Sequence, residues 1–341
     1  MIAAAALVVI VWGLNAAKPL VVTLLVSAFL AVIGTPGVMW LYRRRIPLFI
    51  AVCGVVLGML TIGLAIAALV GTSVTGFTEQ VPVYQARLAQ KFNAVQHWLG
   101  GMGVAVSKNY ILEQIDPGAA MQLVTRVLSG LSTALTNVVL IFLIVVFVLM
   151  EAPTFPRKMR QALRRPDADF TAFHHFSENL QRYLVIKTVV SLVTGVVIAV
   201  WLTLLGVDFP LMWGMLAFLL NYVPNIGSII AAVPAVLIAF IDQGPGLAVL
   251  AASGYVGVNF VLGNIVEPRL MGHGLGLSAL VVFLSLLLWG SILGPVGMIL
   301  SVPITMTLKL ALESHPSTEW IAVLLGADAR PGASSAGSPP S

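Results

Sequence analysis

The sequence predicts an all-α membrane protein with about six full transmembrane helices plus two broken or re-entrant helical hairpins, about eight spanning segments in all. Three observations predict it. Of the 341 residues, 59% are hydrophobic and only 9% charged, and the mean hydropathy is +1.01. A soluble domain covers its surface with roughly 25% charged residues, so lipid must be the main solvent here. Apolar runs long enough to cross a bilayer recur along the chain. The 18 Lys and Arg residues gather in short stretches between those runs, which is the positive-inside pattern. The net charge of +5 therefore reports orientation. No basic stripe interleaves with aromatics, which argues against a nucleic-acid partner; the partner is the lipid bilayer.

In chain order, Ile2 to Ala16 reads as a short first span rather than a cleaved signal peptide, because no basic stretch precedes it. Lys18-Pro19 interrupts the run, and Leu20 to Tyr42 is the second span. Arg43-Arg44-Arg45 follows at once and fixes that end in the cytoplasm. Leu48 to Val70 is the third span. These three make a first unit, residues 1–71. Residues 72–127 have a different texture, with Val83, Leu88, Phe92, Val95 and Trp98 at helical spacing and Arg87, Lys91 and His97 between them. They read as an extracytoplasmic amphipathic segment of one or two helices.

Residues 128–313 read as a transmembrane core. Leu128 to Met150 is the fourth span. The cytoplasmic loop 151–187 carries Arg157, Lys158, Arg160, Arg164, Arg165, Arg182 and Lys187 against Glu151, Asp167, Asp169 and Glu178. Its basic excess falls on the side that the arginine turn predicts. Thr188 to Leu205 is the fifth span. Two interrupted stretches follow. Leu211–Leu220 and Ile229–Ile241 are separated by Asn221 to Gly227, and Leu275–Trp289 and Val296–Leu312 by Gly290 to Pro295, with Leu247–Leu262 between the two pairs. Each pair reads either as a re-entrant hairpin or as two thin spans. Both choices leave the N- and C-termini cytoplasmic. The tail, residues 314–341, ends in a small, polar, Pro-rich stretch expected to be disordered.

Interrupted apolar segments are the sequence mark of a solute path, because a helix broken at membrane depth frees backbone groups that only protein or a watery cavity can meet. The candidate path residues are Asn221, Pro224, Asn225, Gly227, Glu267, Pro268 and Arg269. Glu267 is the one acid beside a break, with Arg269 as its expected counter-ion, and it reads either as a cation or proton ligand or as a loop ion pair. The amides of Asn221 and Asn225 suit a neutral polyol or a sodium ion, or else satisfy the freed backbone. Gly206, Gly272, Gly290, Gly294, Pro295, Gly297 and Pro303 read as turn and close-contact positions. The single cysteine, Cys53, excludes an internal disulfide. No metal site, cofactor motif or catalytic signature is present, so the chain does not read as an enzyme.

Leu205-Gly206-Val207, Trp213-Gly214 and Leu219 through Ser228 resemble the AI-2E family of transporters, the autoinducer-2 exporter or PerM-like permeases. So do Ile265-Val266-Glu267-Pro268-Arg269-Leu270-Met271-Gly272 and Leu287-Leu288-Trp289-Gly290 with Leu293 through Pro303. Ala279 departs from the family pattern, which has proline there. The resemblance implies a permease of the bacterial inner membrane that exports a small polar solute, such as a quorum-sensing signal, down a gradient. It also implies, as an alternative, a sodium/proton antiporter handling a monovalent cation, while the amphipathic outer segment, residues 72–127, leaves open a non-transporting oligomeric membrane scaffold. A homo-oligomer is expected, with no subunit number.

Overall fold

The computed structural model describes residues 9, 12–101, 138–154, 158, 171–224, 226–271, 276–313 and 317–326. Most of the expected first span, residues 102–137 with the distal outer segment, and residues 327–341 lie outside them, as do Asn225 and Gly272. The described residues hold six helices long and apolar enough to cross a membrane, together with shorter apolar helices. The all-α membrane architecture expected from the sequence is the one observed.

Helix α1 (Lys18–Arg43) begins with Pro19 in its first turn, where a missing N–H costs nothing. Its polar side chains turn inward on the backbone: Thr23, Ser27 and Thr35 each donate to the carbonyl four residues back, at 2.8, 2.7 and 2.8 Å. That satisfies these three hydroxyl donors within the helix itself. Helix α2 (Leu48–Gly101) runs 54 residues without a break, so the boundary drawn at residues 71 and 72 falls inside one continuous helix. At 1.5 Å per residue it is ~80 Å long, against a ~30 Å bilayer core. Helix α3 (Val138–Glu151) packs with α1 and α2 around Ala31, Val52 and Val145, all buried.

Helix α4 (Thr171–Leu204) starts well inside the stretch expected to be cytoplasmic loop. Helices α5 (Pro210–Leu220) and α6 (Ile226–Gln243) form the first hairpin. Its base is fixed by the Gln243 side chain, which donates to the Gly206 carbonyl at 2.7 Å. Gly206 and Phe209 both take positive φ there, 69° and 57°, which turns the chain from α4 into α5. At the tip, Val223 N–H donates to the Leu220 carbonyl at 2.8 Å. Gly227 packs so tightly that a Cβ would stand 1.8 Å from the Leu220 oxygen. The hairpin thus leaves and returns to one end of the helix bundle.

Helix α7 (Pro245–Val258), a π-helical stretch (Asn259–Val266) and α8 (Glu267–Met271) form one long rod to the opposite end. Pro268 lies just after the π-helical stretch. A proline ring collides with the carbonyl four residues back in an α-helix, and the wider π turn relieves that collision.

Helices α9 (Ala279–Leu293) and α10 (Pro295–Glu313) make the second hairpin. Ser278 caps α9 by accepting from the Val281 N–H at 3.2 Å, so the helix starts cleanly with Ala279. The turn is the single residue Gly294, at φ 73°. Gly297 meets the Trp289 carbonyl at 2.0 Å from its would-be Cβ, and Gly290 meets Met298. The base is tied by Lys309 Nζ to the Gly276 carbonyl at 2.8 Å. The two hairpin bases lie at opposite ends of the α7–α8 rod, so the hairpins enter the bundle from opposite ends. A short α11 (Glu319–Leu325) packs beneath α10.

Candidate functional site

Helix α4 presents Lys187, Thr188 and Ser191 to the tip of the first hairpin. The spacing i, i+1, i+4 keeps all three on one side of the helix. Lys187 is 6% exposed and Ser191 fully buried. The Asn221 amide, itself buried at the end of α5, donates to Ser191 Oγ at 2.9 Å. The Tyr222 hydroxyl donates to Thr188 Oγ1 at 2.8 Å, and the Thr188 hydroxyl in turn donates to the Leu184 carbonyl at 2.7 Å. The Tyr222 ring stands edge-on to Phe29 of α1 and to Phe218, with centroids 5.9 and 5.8 Å apart. The hairpin tip is therefore tied to two other helices at once. Ser191 lies 13 residues from the end of α4, so the tip reaches ~20 Å from the hairpin base.

One turn before Ser191, Lys187 Nζ donates to both carboxylate oxygens of Glu267, at 2.7 and 2.9 Å. The two side chains are 7% and 16% exposed. The partner of Glu267 is thus Lys187, eighty residues upstream, and not the neighbouring Arg269, which points to the surface. A nearly dry ion pair is held by Coulomb attraction and two charge-assisted hydrogen bonds, and each charge would be costly alone. The Arg182 guanidinium donates to the Leu270 carbonyl at 3.2 Å, so α4 grips both ends of α8.

The polar seam formed in this way runs from Asn221–Ser191 through Tyr222–Thr188 to Lys187–Glu267. It gathers Asn221 and Glu267 from among the expected path residues. Pro224 belongs to the tip, where its carbonyl accepts from Ile226 N–H at 2.7 Å, and Gly227 closes the turn. Pro268 sits on the exposed flank of α8 with Arg269. Gly290, Gly294, Pro295, Gly297 and Pro303 belong to the second hairpin, whose turn approaches the Lys18 ammonium: a Cβ on Gly294 would stand 3.2 Å from Lys18 Nζ. Sequence reasoning missed Lys187, Thr188 and Ser191. Lys187 sat at the end of a basic run and counted as a loop charge; the one available signal was its position directly before the uncharged run Thr188–Leu204, five residues beyond Arg182.

A second set of contacts fastens the base of the first hairpin. The extension of α2 lays Phe77 edge-on against Phe209 and Trp213, with centroids 5.8 and 5.4 Å apart. The Tyr84 hydroxyl donates to Asp208 at 2.7 Å, and Arg87 pairs with Asp242.

The family model for AI-2E family transporters matches residues 1–317. The chain is 41% identical over 319 residues to the AI-2 transport protein TqsA of Escherichia coli (strain K12), covering 94% of this chain and 93% of that protein. It is 41% identical over 325 residues to YhhT of the same strain, covering 94% and 92%. YrrI of Bacillus subtilis (strain 168) is 26% identical over 310 residues, 86% of each chain.

Proposed function

The chain belongs to the AI-2E family of transporters, and from that premise we propose that it carries a small, uncharged, polar solute through the inner membrane along the seam between α4 and the first hairpin tip. The observation that carries this reading is the pairing of every charge and most polar groups in the seam: Lys187 with Glu267, Asn221 with Ser191, Tyr222 with Thr188. A neutral solute exchanges hydrogen bonds with such groups and leaves no buried charge unbalanced. The name of the relative TqsA makes autoinducer-2 the first solute to try. On this reading a gradient drives the solute, in the export direction that the family resemblance implies.

The basic turn at Arg43 to Arg45 supports cytoplasmic termini. On that orientation the first hairpin enters from the outer side and the second from the cytoplasm. Proteoliposomes loaded with labelled autoinducer-2, alongside a panel of neutral polyols, test the reading. Efflux faster than from protein-free vesicles supports it, and efflux no faster for any solute under any imposed gradient removes it.

A second reading, proton-coupled exchange of a monovalent cation, is favoured by one feature, the carboxylate of Glu267 at a helix irregularity within a spanning rod. Dye-reported proton flux on adding sodium decides it. Flux that is unchanged in Glu267→Gln takes this residue out of any such mechanism.

A further inference from the structure

Helices α6 and α7 are antiparallel and joined at Gly244, and a groove runs between them on the side away from α5. Its volume is about 550 Å³, within the range of small-molecule sites. Ile229, Val233, Val236 and Phe240 of α6 line it, facing Ala252 and Val256 of α7. It carries no acid, lysine, arginine or histidine. Ser228 and Asn259 also line it, with Tyr255, and the antiparallel arrangement brings the start of α6 beside the end of α7. All three polar side chains therefore lie at one end.

Among the described residues none of the three has a hydrogen-bond partner. Tyr255 is 5% exposed and its hydroxyl makes no hydrogen bond. Among the described residues, no hydrogen bond engages the Ser228 hydroxyl or the Asn259 amide either. A buried hydroxyl without a partner costs roughly 1–3 kcal/mol, and hydrocarbon offers no water to fill the vacancy. The polar end lies 14 residues from the start of α7, ~21 Å along a rod ~40 Å long, and so within the hydrocarbon depth of a bilayer. A phospholipid headgroup stays at the interface and cannot supply the missing partner at that depth.

We propose that this groove is a binding site for an uncharged amphiphile with an apolar chain and one hydroxyl or carbonyl head, the chemistry of a medium-chain alcohol. The head meets Tyr255, Ser228 and Asn259, and the chain runs from there along Val233 and Val236 toward Phe240, in a groove whose length is ~18 Å, the rise of α6 from Ser228 to Phe240. Beyond Tyr255 the lining offers no ionisable group to balance a buried charge, which favours an uncharged occupant. The site is separate from the polar seam, which faces α4.

The test uses the full-length protein in proteoliposomes and a diazirine analogue of octanol, with photoadducts mapped by peptide sequencing. The expected result is labelling that saturates, concentrates on residues 228–259 and is displaced by excess octanol. Val233→Trp, at an exposed position on one wall, removes it, as does Ala252→Phe on the other wall. Tyr255→Phe raises the half-saturating probe concentration about two- to tenfold, the loss of one hydrogen bond. Labelling that grows without saturation overturns the proposal, and so does labelling spread over the lipid-facing helices in proportion to exposure, or labelling indifferent to all three substitutions. The readout does not depend on transport, so its outcome is independent of the solute carried by the seam.

Discussion

Gly195 and Gly214 cross with no side chain between them: a Cβ on Gly195 would stand 2.7 Å from the Gly214 carbonyl oxygen, and a Cβ on Gly214 2.6 Å from that of Gly195. The crossing lets α5 lie directly on α4, which is how an eleven-residue helix carries Asn221 to Ser191. The obstacles are backbone atoms, which cannot rotate aside. Gly214→Val is expected to destabilise the protein by at least the ~1–3 kcal/mol of overpacking, with a fall in melting temperature in detergent. A melting temperature equal to that of the parent would mean that α5 can move off α4 freely.

Lys187→Met strands the Glu267 carboxylate in a dry site. Breaking one side of a buried pair costs about 3–5 kcal/mol, whereas replacing both charges with neutral groups of similar size is often close to neutral. The double variant Lys187→Met with Glu267→Gln is therefore expected to recover most of the stability lost in Lys187→Met alone. Thermal melts of the four proteins in a double-mutant cycle measure this. Additive losses would show that the two side chains do not act as a pair.

Asn221→Leu removes the donor to Ser191 and leaves a buried hydroxyl beside an apolar side chain, a loss of roughly 1–3 kcal/mol. On the proposed path it also removes a solute contact, so efflux from proteoliposomes is expected to fall more than the folded fraction does. Ser191→Ala, which deletes the acceptor, is expected to fall in the same direction. Efflux that follows the folded fraction in both variants assigns the pair to architecture alone.

At the hairpin base, Tyr84→Phe deletes the bond to Asp208, one made to a charged acceptor and worth about 1.5–3 kcal/mol. Arg87→Ala is expected to cost less, about 0–1 kcal/mol, because half of its side chain faces solvent. Limited proteolysis of the α2 extension reads both, with faster cleavage in Tyr84→Phe than in Arg87→Ala. The reverse order would place the main anchor on the ion pair.

Gly294 holds φ 73° with ψ −151°, a region nearly closed to side chains, and its missing Cβ leaves room for Lys18. Gly294→Ala is expected to cost about 1–3 kcal/mol through backbone strain. Hydrogen exchange localised to residues 286–302 checks it, with faster exchange there than elsewhere in the variant.

Much of the fold was legible because lipid imposes a simple demand. Uninterrupted apolar runs had to be helices, and a turn had to fall within each of the Asn221–Gly227 and Gly290–Pro295 interruptions, though the second turn is Gly294 alone, with Gly290 to Leu293 inside α9 and Pro295 opening α10. The direction of each hairpin was not legible. It depends on Gln243 reaching Gly206 and Lys309 reaching Gly276, contacts 37 and 33 residues apart in sequence. The unbroken course of α2 past Gly71 was missed because a change of composition was taken for a change of structure. Thr72 to Gln80 is a run of weak helix formers with Gly76 inside it, yet the helix continues there, with Phe77 packed on Phe209 and Trp213, and Pro82 does not end it. Glu267 was legible as an acid at a break. Its partner was not, because local sequence offers Arg269 and only the packing of α4 on α8 brings up Lys187.

The length of α2 has a mechanical meaning. Residues 72–101 add ~45 Å of rod beyond a span ending near residue 71. The rod is clamped near its middle, where Phe77 meets Trp213 and Tyr84 meets Asp208. It is a lever with its fulcrum on the base of the first hairpin. A sideways push on its far end arrives there with mechanical advantage, so a load applied well outside the bilayer is delivered to the one element whose tip lies in the polar seam.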